Sequence, residues 1–398
     1  MNIAGIICEY NPFHRGHEWM LQQLREQGID GIVCAMSGNF VQRGEFALLD
    51  KQRRAEMAVR CGADLVLELP TPYAAATAEV FALGGAALLT QTGVVTHLAF
   101  GSECGDVSLV QRAAQVLSTP AYAEALRAEL SRGDTFAVCR QRAAAQLGGE
   151  DVAKILDGAN NNLGVEYCRA LQTLESPMQP ITVLRRGAMH DGGVVEGIAS
   201  ASHIRALLRQ GNGEEALSLL PDAAAEVLRR EMAAGRACVD MQRCERAILS
   251  YLRRLSEEDW LAYDGGGEGL YHRVYRAVQK ENSLEAIWEA AKTKRYTHAR
   301  LRRMVLAAYL QMPTTALPQE LPYLRVLAAN ETGRALLRQM RENGAPVLTK
   351  AADVAALGAQ AQSWFDDEAR RTDLYALGYP DLQQAGCGSD WRITPKMV

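Results

Sequence analysis

Short apolar runs recur at residues 3–8, 31–36, 64–69 and 97–101, a spacing of about thirty residues that matches one strand-helix-strand unit. Continuous apolar runs of this length are what strands show when both faces are covered, and right-handed crossovers bring their carboxyl ends to one edge of a parallel sheet. Residues 181–185 supply a further candidate strand. The fold class expected is therefore α/β, a Rossmann-like parallel sheet, with ligands bound outside the carboxyl ends of its strands.

Loops rich in glycine, hydroxyl and charge follow these strands: Glu9 to His17, Ser37 to Gly44, Pro70-Thr71-Pro72 and Ser102-Glu103. Taken singly, each reads as an ordinary polar loop. Their shared edge points to one cleft. The first is the most informative, because Asn11-Pro12 signals a turn and His14-Arg15-Gly16-His17 then falls at a helix N-terminus. Unpaired N–H groups and the helix dipole favour an anion there, and the imidazoles add directed donors, so the element suits a polyphosphate. A zinc site fits less well, since no cysteine or carboxylate at ligand spacing joins the pair.

Between about 103 and 158 the pattern turns helical and reads as an insertion. Ser200-Ala-Ser202-His-Ile-Arg205 opens another helix, with serines able to cap and Arg205 able to reach a phosphate. From about 213 the chain reads almost wholly as helices, so the expected organisation is 1–212 as the nucleotide-binding domain and 213–398 as a mainly helical one. The 398 residues suffice for both.

A net charge of −4 argues against indiscriminate coating of nucleic acid. Within it, however, residues 292–303 carry Lys292, Lys294, Arg295, Arg300, Arg302 and Arg303 with no acidic residue. Most such runs are solvated helix faces. Here Tyr296 and His298 are interleaved as stacking groups, which favours a folded RNA with an accessible loop. The nine cysteines form no Cys-x-x-Cys pair and read as reduced thiols of a cytoplasmic protein. No apolar stretch reaches the length of a membrane span. Arg43 and Lys51 are further candidates for ligand contacts.

Together, Glu9 to His17, Ser37 to Gly44, Arg54 to Met57, Gly62 to Pro70, Phe100 to Glu103, Asn160 to Tyr167, Lys292 to Arg303 and Asp373 to Tyr375 resemble the bacterial tRNA(Met) cytidine acetate ligases, within the HxGH nucleotidyltransferase superfamily. The resemblance implies ATP, with magnesium, as the nucleotide, and acetate and elongator tRNA(Met) as partners. It implies two steps, formation of acetyl-adenylate and transfer of the acetyl group to the wobble cytidine. His14 and His17 would be catalytic. The implied ATP site comprises Ile7, Cys8, Glu9, Tyr10, Asn11, Pro12, Phe13, His14, Arg15, Gly16, His17, Glu18, Trp19 and Met20, with Gly101, Asn161 in preference to Asn160, and Arg185 in preference to Arg186. Ser200, Ser202 and Arg205 complete it. No resident protein-held metal is expected. The histidine element fits a small-molecule adenylyltransferase or cytidylyltransferase equally well, although neither would need the basic helical half. A noncatalytic RNA-binding protein on an old nucleotide fold is a third reading, against which both histidines and the serine-arginine element speak.

Overall fold

A computed structural model describes residues 1–186, 193–195, 197–265, 269–293 and 296–398. The expected strands form at Ile3–Cys8, Gly31–Ser37, Leu65–Leu69, His97–Ser102 and Gln179–Leu184, all mutually parallel where they pair. Ile3–Cys8 lies between Gly31–Ser37 and His97–Ser102, so the chain's direction of travel across the sheet reverses beside the first strand.

The apolar runs are explained by what covers each face. Ile3, Ile7, Val33, Ala35, Leu65 and Leu67 pack in one core with Leu88 and Leu89 of the helix Ala78–Gln91 and Val165 of Ala159–Thr173. Ala4, Ile6, Cys8, Ile32, Cys34 and Met36 point the other way, onto Leu21 and Leu24 of Arg15–Glu26 and Met57 of Lys51–Arg60. Alternate residues thus enter opposite cores. Each large aliphatic side chain fully buried in this way contributes about 1.5–3 kcal/mol relative to exposure. The 103–158 region folds as the helices Val107–Leu117, Pro120–Leu130, Phe136–Gly148 and Glu150–Ile155.

The second half is mainly helical, but it also returns to the sheet. Leu324–Ala329 pairs antiparallel with Leu65–Leu69 and carries Val347–Leu348 and Lys396–Met397 as parallel neighbours. The run Leu-Arg-Val-Leu-Ala-Ala, interrupted by a charge, did not read as a buried strand. The reason it can be one is a buried ion cluster. Lys51 Nζ lies 2.7 Å from Glu68 Oε1 and 2.8 Å from Asp390 Oδ2, and Arg325 reaches Asp390 at 3.0 Å. All four side chains are buried. Lys51 is therefore not a ligand contact, as its place beside the cleft had suggested; it is spent on neutralising carboxylates from the sheet and from the C-terminal segment.

Two cations and two carboxylates balance, whereas removing one leaves charge stranded in the interior, at a cost of about 3–5 kcal/mol. Asp390→Ala should lower the urea-unfolding free energy by about that amount. An unchanged midpoint and slope would show that the cluster does not hold the C-terminal segment to the sheet.

Candidate active site

The reversal beside Ile3–Cys8 opens a crevice at the sheet edge, and the histidine element stands over it. His14 is the N-cap of Arg15–Glu26. Its Nδ1 accepts the Gly16 N–H at 3.0 Å, and its own N–H donates to His17 Nδ1 at 3.2 Å. This is a reciprocal capping box in which imidazoles replace the usual hydroxyl and carboxylate. The rings stack with centroids 3.7 Å apart. A Cβ at Gly16 would lie 3.0 Å from His14 Cε1, which is why glycine separates the two residues.

Because both Nδ1 atoms accept, each neutral ring carries its proton on Nε2. Neutrality follows from the surroundings. Burial, with Arg185 and Arg205 adding to it, pushes His14 down to about 3. Burial, the His14 ring and Arg185 likewise hold His17 well below the ordinary imidazole range. Tyr10 and Phe13 fix the His17 ring from beneath, with centroids at 4.8 and 5.5 Å.

A solvent-open cleft is lined by Gly16, His17, Trp19, Met20, Gly101, Val183, Leu184, Arg185 and Arg186. The Arg186 guanidinium lies 4.1 Å from the Trp19 ring centroid, forming one wall. Of the expected ATP segment, Ile7, Cys8, Tyr10 and Phe13 are buried beneath the cleft. Glu9 is half-buried and accepts the Gln42 N–H at 2.8 Å; desolvation raises its pKa. Asn11 accepts from Leu48 N–H through its side chain and from Arg205 Nη1 through its carbonyl oxygen, each at 2.7 Å. Pro12 follows a cis peptide bond. Arg15 is exposed and reaches Ser218 O, while Glu18 lies half-buried in the first turn.

Arg205 keeps its Nε buried without a partner among the described residues. Ser200 caps its helix by accepting the His203 N–H at 3.2 Å, and its Oγ lies 3.0 Å from Ser202 Oγ. Asn161 is buried and its Oδ1 accepts the N–H groups of Glu103 and Cys104. Asn160 is the neighbour joined to Arg185, whose Nη1 donates to its Oδ1 at 3.2 Å. The asparagine pair thus divides its work, one holding the turn and the other facing the cleft arginine.

Two features have roles that only the fold reveals. Arg54, fully buried, donates to the carbonyl oxygens of Glu9, Ser37, Gly38 and Leu49, tying the first two strand exits together. Val183, Leu184 and Arg186 join the cleft only because the strand Gln179–Leu184 lies beside His97–Ser102.

The basic segment begins the helix His298–Tyr309. Lys292 is exposed; Lys294 and Arg295 lie outside the described residues. Tyr296 is not an exposed stacking group. It is buried in the helical core, with the Arg300 guanidinium 5.1 Å from its ring centroid. Arg302 pairs with Glu45 at 2.5 Å and covers Trp288, and Arg303 donates to Gln42 O at 3.4 Å. Gly44 allows this docking: its φ is +75°, and a Cβ there would lie 2.5 Å from the Arg303 nitrogen. Among the described residues no group of three His, Cys, Asp or Glu side chains could hold a metal, and no helix is long and apolar enough to cross a membrane.

A family model described as HIGH Nucleotidyl Transferase matches residues 1–390. A tRNA(Met) cytidine acetate ligase of Caldanaerobacter subterraneus subsp. tengcongensis is 36% identical over 390 residues, 96% of either chain. The chain belongs to the tRNA(Met) cytidine acetate ligase family. A member from Clostridium perfringens is 33% identical over 416 residues, covering 99% of each chain. The crystal structure of Thermotoga maritima TmcAL in its apo form superposes with a TM-score of 0.93 at 32% identity, covering 100% of both chains. The form bound with alpha-thio ATP gives 0.92 at 32% identity, covering 100% of this chain and 99% of that one. The expected α/β nucleotidyltransferase fold with a mainly helical second half is thus established for the whole family-matched length.

The neutral histidines predict a definite pH response. An unfolded chain takes up a proton on His14 below pH 6.5, whereas the folded one does so only near 3. Stability from this residue is therefore complete above 6.5 and is lost as pH falls, at up to about 1.4 kcal/mol per pH unit. Asn at the same N-cap accepts the same N–H without titrating. In urea titrations the stability of the wild type relative to His14→Asn should fall steadily from pH 6.5 to 3.5. A constant difference would mean that the ring is charged or solvated.

Proposed function

We propose that this protein is an ATP-dependent tRNA(Met) cytidine acetate ligase acting in the cytoplasm. In the first step an acetate oxygen attacks the α-phosphorus of ATP, giving acetyl-adenylate and pyrophosphate. In the second, the exocyclic amine of the wobble cytidine of elongator tRNA(Met) attacks the acetyl carbon, releasing AMP and a proton. The observation that carries this reading is the stacked, reciprocally capped histidine pair over the cleft of a chain that matches acetate ligases end to end.

Acetate is ionised at neutral pH, as carboxyls with reference pKa values near 4 are, so the first step needs no general base. The site has to position and to meet developing charge. His14 and His17 do this as neutral Nε2–H donors at the positive end of a helix, directed at the α-phosphate oxygens. The positive charge comes from guanidinium groups: Arg185, beside Asn160, on one side, and Arg205 with Ser200 and Ser202 at the departing pyrophosphate on the other. Trp19 under Arg186 gives a flat wall suited to the nucleobase. Residues Ile7 to Met20, with Gly101 and Asn161, shape the floor. Magnesium accompanying the triphosphate would be held by phosphate oxygens and water, as is usual for this ion, because the described side chains offer no carboxylate cage; no step here runs through it. Lys292, Lys294, Arg295, Arg300, Arg302 and Arg303 present the basic segment to the tRNA backbone, the last two while bracing it against the loop at Glu45.

Each directed donor of this kind contributes about 2.7–4 kcal/mol to the transition state. His17→Ala should fold normally yet lose acetate-dependent ATP–pyrophosphate exchange by about a hundredfold to a thousandfold. Exchange at the wild-type rate would refute the histidine assignment. The reaction as a whole is tested by incubating tRNA with protein, ATP and isotopically labelled acetate, followed by mass spectrometry. Label on a single cytidine is expected; pyrophosphate release with a phosphorylated alcohol and no labelled tRNA would return a small-molecule nucleotidyltransferase instead.

A further inference from the structure

At the far edge of the sheet, an open groove lies between the helix Glu331–Glu342 and the segments around Val347–Leu348 and Lys396–Met397. We propose that this groove is a second docking surface for RNA phosphate backbone, used by the tRNA whose anticodon loop reaches the nucleotide cleft. It rests on the acetate-ligase reading of the protein.

Arg334, Arg338 and Arg341 are spaced by four and three residues, which sets them on one face, and all three are exposed. The opposite face, with Leu336 and Met340, is buried in the sheet core, and Leu337 forms the buried apolar border of the groove. Lys350 joins from the strand exit, so four cations line the groove against one carboxylate, Glu342. Among the described residues Arg334, Arg338 and Lys350 enter no ion pair, and Arg341 reaches only Thr349 Oγ1, at 3.5 Å. Like charges at these spacings repel and cost the helix stability. Elsewhere on this chain exposed arginines are commonly paired, as Arg112 is with Asp151 and Arg142 with Asp134. A concentration of unpaired guanidinium groups on a protein of net charge −4 is complementary to closely spaced phosphates, which guanidinium forks bind in a bidentate manner.

Position then narrows the ligand. Four strands lie between Val347–Leu348 and His97–Ser102, five inter-strand steps or about 24 Å across the sheet at the usual spacing. A nucleotide in the cleft cannot span that distance. A folded RNA can, and would meet the groove with its backbone while its loop enters the active site.

The test uses the full-length protein carrying Arg334→Gln, Arg338→Gln and Lys350→Gln together, and a second triple variant of equal charge change, Arg127→Gln, Arg132→Gln and Arg142→Gln. Affinity for a tRNA(Met) transcript is measured from 50 to 300 mM salt. The groove variant should bind at least tenfold more weakly at low salt, with a log–log salt slope shallower by about 2–3, and should keep wild-type acetate-dependent ATP–pyrophosphate exchange. The control variant should keep the wild-type slope. Unchanged tRNA affinity and slope in the groove variant, or an equal loss in both variants, overturns the proposal, the former also being the result if the groove takes an acidic protein partner. Wild-type protein that neither binds nor acetylates tRNA overturns the parent reading as well, so the two failures are distinct.

Discussion

The reciprocal hydrogen bonds between His14 and His17 set both the shape and the chemistry of this site. Each ring gives its Nδ1 to a backbone N–H at the start of the first helix, and so leaves Nε2–H as its outward group. Rings stacked at 3.7 Å, buried beside two arginines, resist protonation, because a second positive charge there would meet both desolvation and repulsion. The imidazoles therefore serve as directed dipoles. Net positive charge is assigned to guanidinium groups around them, which stay charged whatever their burial.

That cap would be of little use on a mobile strand exit, and two buried charge arrangements keep the exits fixed. Arg54 gathers carbonyl oxygens from the ends of the first two strands and from Leu49, satisfying a buried guanidinium with backbone groups. Lys51, three residues earlier on the same helix, joins Glu68 of the third strand exit to Asp390 near the C-terminus. The C-terminal segment is thereby coupled to the sheet edge that carries the site. Arg302 and Arg303 make a second tie, through the loop at Glu45 and Gln42, so the basic helix and the nucleotide cleft share one support.

The parts legible in the sequence were those with local signatures. Four strands were readable because burial on both faces forces unbroken apolar runs, the half-exposed edge strand Gln179–Leu184 was readable only from its short apolar stretch, and the histidine element was readable because a turn, a glycine and two imidazoles fall within one short segment. Leu324–Ala329 was not, since Arg325 breaks its run and only carboxylates remote in the chain, Asp390 and Glu68, make that charge tolerable. Tyr296 misled for the converse reason. Tyrosine among cations resembles a stacking platform, yet nothing local tells whether its ring faces solvent or the core.

By itself, the sequence determined which segments alternate as strand and helix, where the strand exits fall and which residues could meet a polyphosphate, because these follow from period, turn chemistry and short spacing. Only the tertiary structure decided that the histidines cap each other and remain neutral, that Asn160 and Asn161 have different tasks, that Lys51 is internal, and that the basic groove stands at the far sheet edge. Each of those depends on burial or on partners remote in the chain, and neither burial nor a remote partner leaves a mark in local sequence.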